Sequence, residues 1–201
     1  PGASVPSRGL TAEHAAAIAR ALVDAGHRVL VTGGPGETAL TAAVVAGAGT
    51  GSRTVSTAGS AAGSAGATAG GTGTVVDLGG RTTLAELGAV LDGAACVVVG
   101  NTGPAHLAAA VGTPVVSLFS PVVPVDRWAP WGVPTVVLGD ASAPCRGSRA
   151  RECPVAGHPC LTSVAPSEVV EAVHRLAGRT LVTTAPTTAP TTAPTTEPTT
   201  E

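Results

Sequence analysis

The stretch with the most chemistry to offer is Gly100-Asn101-Thr102-Gly103-Pro104-Ala105-His106-Leu107. It follows an apolar run and opens a helical pattern, so it reads as the turn between a buried strand and a helix. Pro104 suits the first helical position, where a missing N–H costs nothing. Gly103 lets a ligand come close to the main chain. Open amides at such a helix start, reinforced by the helix dipole, can hold a phosphate or diphosphate. Asn101, Thr102 and His106 would add side-chain donors, and Ala105 the main chain of the first turn. An ordinary strand–helix turn with a surface histidine has the same pattern, and both readings stay open at this point.

Two further loops offer similar chemistry. Gly34-Pro35-Gly36-Glu37-Thr38-Ala39 matches G-x-G-x-x-A after a strand, the dinucleotide pattern. That pattern requires an acidic residue about 20 positions on to hold the ribose. Neither Asp nor Glu occurs between Glu37 and Asp77, so a nicotinamide-dependent oxidoreductase is a minor alternative. Glu37 itself could accept hydrogen bonds from a ribose, or simply favour a helix start. Pro1-Gly2-Ala3-Ser4-Val5-Pro6-Ser7-Arg8 precedes the first helix. There Ser4 offers a hydroxyl and Arg8 a cationic fork suited to a diphosphate. Walker A and H-E-x-x-H patterns are absent. Ser60 and Ser64 lie in a Gly-rich stretch rather than at a nucleophile elbow.

The elements that must position these loops alternate strand and helix. Thr11 caps a helix over 12–25, with Gly26 as its stop. His27–Thr32 reads as a strand, and Glu37–Ala46 as a helix. Thr74–Leu78 is a short strand. Thr83 and Glu86 form a capping box that opens a helix carrying Leu84, Leu87 and Leu91. Cys96–Val99 is a strand, Pro104–Val111 a helix, and Pro114–Phe119 and Thr135–Leu138 are strands. A last helix begins near Pro166, aligns Val169, Val173 and Leu176, and stops at Gly178. This order predicts an α/β, Rossmann-like parallel sheet with helices on both faces. Ligands of such sheets bind beyond the carboxyl ends of the strands.

Residues 1–182 thus read as one domain. Within it, 47–73 are nearly all Gly, Ala, Ser and Thr and read as a disordered insertion. Residues 183–201 repeat Thr-Thr-Ala-Pro and read as a disordered, polyproline-like tail. The opening at Pro1, without an initiator Met, reads as a cut through a larger protein.

Composition narrows the function. Hydrophobic residues make up 44% of the 201-residue chain, whereas aromatic side chains are only Phe119, Trp128 and Trp131. The core must be built from Val, Leu and Ala. A net charge of −2 without a basic run argues against nucleic-acid binding. A bilayer-spanning apolar run and a secretory leader are both missing from the sequence. Cys96 reads as a buried core residue. Cys145, Cys153 and Cys160 share a Pro/Gly/Arg-rich loop with His158, where a structural loop, a metal site and a disulfide are all open.

The run Asn101 to Phe119, continued by Arg127-Trp128-Ala129-Pro130, resembles glycosyltransferase family 9, the ADP-heptose:lipopolysaccharide heptosyltransferases. Pro-Gly-Ala-Ser…Arg at the start, the Thr-Gly-Gly-Pro-Gly-Glu turn and the Cys153-Pro154…Cys160-Leu161 loop resemble its C-terminal domain in the same order. The resemblance implies a GT-B enzyme of two Rossmann-like domains, transferring sugar with inversion and without a metal or cofactor. It implies that this chain is the donor half. Thr102, Gly103 and His106 would hold the diphosphate of a nucleotide sugar, Ser4 and Arg8 would neutralise its charge, and Glu37 would bind the ribose. The general base would come from an N-terminal domain that also receives the glycan or glycolipid acceptor. A cytoplasmic location, with peripheral contact at the inner membrane surface, is implied too. Asn101 stands where the family usually has Asp, and Arg8 where Lys is common. A noncatalytic nucleotide-binding module is the main rival.

Overall fold

The computed structural model describes residues 1–49, 53–54 and 73–180. The bulk of the Gly/Ala/Ser/Thr stretch, 50–52 and 55–72, and the Thr/Pro repeat from 181 onward lie outside the described residues.

Among the described residues, strands and α-helices alternate much as the residue pattern predicts. Helix α1 (Ala12–Asp24) leads to β1 (Arg28–Gly33), α2 (Thr38–Ala48), β2 (Arg53–Thr54) and β3 (Thr74–Gly79). Helix α3 (Leu84–Asp92), β4 (Val97–Gly100), α4 (Gly103–Ala110) and β5 (Val115–Leu118) follow. The chain ends through α5 (Val125–Trp128), β6 (Thr135–Leu138), α6 (Pro159–Thr162) and α7 (Pro166–Thr180). The two expected caps are present. Thr11 Oγ1 accepts from His14 N at 3.2 Å. Thr83 Oγ1 accepts from Glu86 N at 3.3 Å while Glu86 Oε2 accepts from Thr83 N at 2.8 Å. Those carboxylate bonds hold Glu86 below the usual carboxylate range.

Most boundaries shift by one or two residues, the short helices α5 and α6 go beyond the sequence reading, and larger differences fall at the expected insertion and the last helix. Helix α2 runs on to Ala48, and Arg53–Thr54 pair with β3, so both ends of the expected insertion's first part are structured. Gly178 does not stop α7, which reaches Thr180. One glycine costs a helix only about 1 kcal/mol, and buried Val169, Val173 and Leu176 anchor this one.

Every ladder is parallel, but the sheet is in two parts, ordered β1-β3-β2 and β4-β5-β6. The second part is covered on both faces, and the period of two shows it. Val97, Val99 and Val115 pack with Leu91 and Ala108 of α3 and α4. Val98, Val116 and Leu118 pack instead with Ile18 and Leu22 of α1 and with α7. In the first part Val31 and Val75 face α1 and α2, whereas Leu30, on the opposite face, is 44% exposed. The edges of β1 and β4 are separated by an apolar crevice.

Candidate functional site

The crevice opens at the carboxyl ends of β1 and β4 as a cleft of about 340 Å³. One wall is the turn after β1, with Gly33, Gly34 and Glu37. The facing wall is the turn after β4, with Gly100, Thr102 and Pro104, and Thr82 and Thr83 close the side. Pro1 and Gly2 also line it. The structure therefore brings three of the predicted residues, Glu37, Thr102 and Pro104, to one cleft, and puts it where a parallel sheet exposes its loops.

Each wall is locally braced. Glu37 Oε2 accepts a 2.7 Å hydrogen bond from Gly34 N, folding the carboxylate over its own turn. The other oxygen lies against Gly2, where a Cβ could not fit. Gly33 and Gly79 close the turn through Gly80 N, which donates to Gly33 O at 2.8 Å. Asp77 Oδ1 accepts from Gly79 N at 2.8 Å.

The start of α4 is open. Thr102 is its N-cap in an extended conformation, with φ −134° and ψ 175°, and no side chain caps the helix. Thr102 Oγ1 instead donates to Gly100 O across 3.4 Å, so its lone pairs are left for other donors. Gly103, Pro104 and His106 are exposed, and nothing lies within 4 Å of where a Gly103 Cβ would be. Ala105 faces inward, fully buried, and its N–H is spent on Thr102 O at 3.0 Å.

Asn101 is placed differently from its neighbours. It is 2% exposed, and its amide is used at both ends by one residue. Nδ2 donates to Ser120 O and Oδ1 accepts from Ser120 N, each at 3.2 Å. It ties the β4 turn to the β5 turn and does not line the cleft.

The N-terminal loop reaches the same edge. A Cβ on Gly100 would come within 2.9 Å of Arg8 O, so that glycine permits the loop's approach. Arg8 sets its guanidinium over Trp128, 4.9 Å from the ring centroid, and its Nε is buried without a hydrogen-bond partner. Ser4 is exposed and stands outside the cleft wall. The anchor of this loop is Ser7, which the residue pattern did not single out. Fully buried, it donates from N to Arg151 O at 2.9 Å and from Oγ to Ala150 O at 2.6 Å. Thr82, Thr83 and Trp128 also stand at this edge; the sequence marks Thr83 only as a helix cap and Trp128 only as a scarce aromatic within the Arg127–Pro130 run.

The family model for glycosyltransferase family 9 (heptosyltransferase) matches residues 1–158. Over 60 residues, 30% of this chain, the sequence is 43% identical to lipopolysaccharide heptosyltransferase 3 of Escherichia coli, of which that segment covers 17%. A solved glycosyl transferase family 9 protein from Veillonella parvula DSM 2008 superposes with a TM-score of 0.64 at 18% identity, over 89% of this chain and 44% of that one. The E. coli ADP-heptose lps heptosyltransferase II gives 0.66 at 20% identity, over 90% and 46%. At such identities the structural likeness speaks for the fold. The chain spans under half the length of these solved relatives.

Proposed function

The chain belongs to glycosyltransferase family 9, the heptosyltransferase family, and from that membership we propose that it is the donor-binding, C-terminal half of a GT-B enzyme. The donor is a nucleotide diphosphate sugar of the ADP-heptose kind. Its diphosphate lies on the open start of α4, held by Gly103, Thr102 and the His106 imidazole donor, with Ser4 and Arg8 of the loop neutralising its charge. The ribose meets Glu37. The observation that carries this reading is the uncapped, exposed start of α4, with the Arg8 main chain packed against Gly100 just before it. An open helix start, with a cation brought to it from the neighbouring loop, would favour the charge that grows on a leaving diphosphate.

Transfer itself is proposed for the whole glycosyltransferase. An acceptor hydroxyl of a lipopolysaccharide-type glycan attacks the anomeric carbon as the carbon–oxygen bond to the diphosphate breaks, which inverts the centre. An Asp of the other domain takes the hydroxyl proton. Electrostatic neutralisation falls to this chain's donors, and no metal is required. Among the described residues, no helix is long and apolar enough to cross a membrane, and the reaction is proposed to run in the cytoplasm, at the inner membrane surface.

Calorimetry with ADP, UDP, GDP and NAD tests the reading. A nucleoside diphosphate should bind and NAD should not. NAD binding with no response to any diphosphate would end the glycosyltransferase proposal, in favour of an oxidoreductase domain.

A further inference from the structure

The long connection between β6 and α7 gathers three of the four cysteines. It is pinned to the body by Gly147 N donating to Pro121 O and Arg149 N to Val122 O, both at 2.8 Å, and is closed on itself by Asp140 N donating to Cys160 O at 2.9 Å. Cys145 and Cys160 are 3% and 1% exposed and belong to one core cluster. The Cys160 thiol points to Ser120 Oγ at 4.0 Å, and Cys145 and Cys153 are both near enough to act on it. Cys153 is half-buried, its thiol donating to Val155 O at 3.2 Å. All are free thiols. Among the described residues, no three His, Cys, Asp or Glu side chains are arranged to hold a metal ion. Cys96 lies next to β4 at the margin of the same cluster, and burial pushes its thiol up to about 11.

We propose that this loop is a thiol–disulfide modification site, in which Cys145 and Cys160 form a reversible disulfide and Cys153 is the entry thiol. The oxidant is a small anionic disulfide of the glutathione type. Exposed Arg146, Arg149 and Arg151 precede Cys153 in the chain and outnumber the exposed Glu152, so the segment carries net positive charge that attracts it. Cys153 sulfur attacks one sulfur of the oxidant, releasing a first small thiol and leaving a mixed disulfide. Cys160 then displaces the second small thiol to give Cys153–Cys160. Cys145 displaces Cys153, which leaves as a thiol. Each attacking thiol gives up a proton and each departing thiolate takes one. The net change is two protein thiols oxidised and one small disulfide reduced to two thiols. Burial raises the Cys160 thiol, which slows direct attack and makes the half-exposed Cys153 the faster entrance. The link would close the loop that carries Ala150 and Arg151, to which Ser7 is bonded. The proposal does not depend on nucleotide binding.

The full 201-residue chain is refolded from urea in glutathione buffers of rising disulfide-to-thiol ratio, quenched with acid, alkylated, digested and mapped by mass spectrometry. The expected product is one internal link, Cys145–Cys160, two hydrogens lighter than the reduced pair. Refolding from urea gives the oxidant access to every thiol, so burial cannot hide a negative result. Four alkylated cysteines at the highest ratio, glutathione adducts alone, or a link through Cys96 would overturn the proposal. With the folded chain, Cys153→Ser should form the same link about tenfold more slowly, and an unchanged rate would remove the entry role. Cys145→Ser should shift the link to Cys153–Cys160. The unsubstituted chain decides the main question even if a variant folds poorly.

Discussion

The guanidinium carbon of Arg8 lies 4.9 Å from the ring centroid of Trp128, joining the N-terminal loop to α5 across the edge of the second sheet. Trp128 is 40% exposed, so the contact belongs to the surface and its worth is modest. Its effect is positional: the cation is held over the ring, and the rotamers open to a free arginine are reduced.

Trp128→Ala should therefore weaken nucleoside diphosphate binding through Arg8 and not by itself. The expected loss is about 0.5–1 kcal/mol, or roughly two- to fivefold in Kd. Arg8→Ala should cost more, about 1–3 kcal/mol, as charge-assisted bonds do. The double variant should bind as Arg8→Ala does. Calorimetry on the four proteins checks this, and a further loss in the double variant would show that Trp128 acts alone.

His106→Ala should likewise cost about 1–3 kcal/mol of diphosphate affinity while leaving thermal stability unchanged, since the side chain is exposed at the start of α4. Equal affinities for His106→Ala, Arg8→Ala and the parent chain would remove the proposed site from α4 altogether.

Asn101→Asp should destabilise the fold. The Asn101 amide donates to Ser120 O and accepts from Ser120 N at a position 2% exposed. A carboxylate there loses the donor, faces a carbonyl oxygen and carries buried charge, at a cost of about 1–3 kcal/mol. Burial would raise that carboxyl's pKa, so the deficit should narrow as pH falls and the acid regains a donor hydrogen. Urea midpoints at two pH values measure both effects. A midpoint equal to the parent's at neutral pH would show that the Ser120 bridge contributes nothing.

That bridge marks where sequence reasoning runs out. Local signals were legible: the Thr11 cap, the Thr83–Glu86 capping box and the apolar runs of β4 and β5 each follow from residues within one turn or one strand. The turn after β4 was legible as a strand–helix junction because glycine and proline there constrain the backbone locally. Asn101 looked like its neighbours there, and nothing near it in the chain announced Ser120. Ser7 was hidden for the same reason, since its partners at Ala150 and Arg151 are brought to it by the fold. The division of the sheet between β1 and β4 was equally illegible. Apolar periodicity fixes which face of a strand is buried, and says nothing about which edges meet.

Gly139→Ala and Gly26→Ala separate steric clash from backbone strain. Both glycines have positive φ, 133° and 89°. A Cβ at Gly26 would meet nothing within 4 Å, whereas at Gly139 it would lie 2.5 Å from Phe119 O. Gly26→Ala should cost about 1–2 kcal/mol for the left-handed backbone. Gly139→Ala should cost about 1–3 kcal/mol more, because a main-chain oxygen cannot swing aside. Equal losses in thermal melts would show that the chain between β6 and α6 yields easily.

The pairing of His27 with His174 makes stability fall on mild acidification. Their ring centroids are 5.1 Å apart. Burial, and then the charge of His174, lowers the His27 pKa from its ordinary 6.5. The unfolded chain therefore binds this proton more readily than the folded one, so stability is present above the folded and unfolded values and declines as pH drops through about 6.5. Carboxylates act in a different window. Glu86 and Asp140 are held below the usual carboxylate range by hydrogen bonds from Thr83 and Ser142, so their contribution is lost only as pH falls through those lower values. The two regimes can be read separately in a series of melting temperatures. His174→Asn removes the like charge but leaves His27 partly desolvated, so it should shrink the loss near pH 6 without abolishing it. His27→Asn should abolish it. If His27→Asn melts with the parent's pH profile between about 7 and 5.5, the mild-acid loss arises elsewhere and the histidine pair is a bystander.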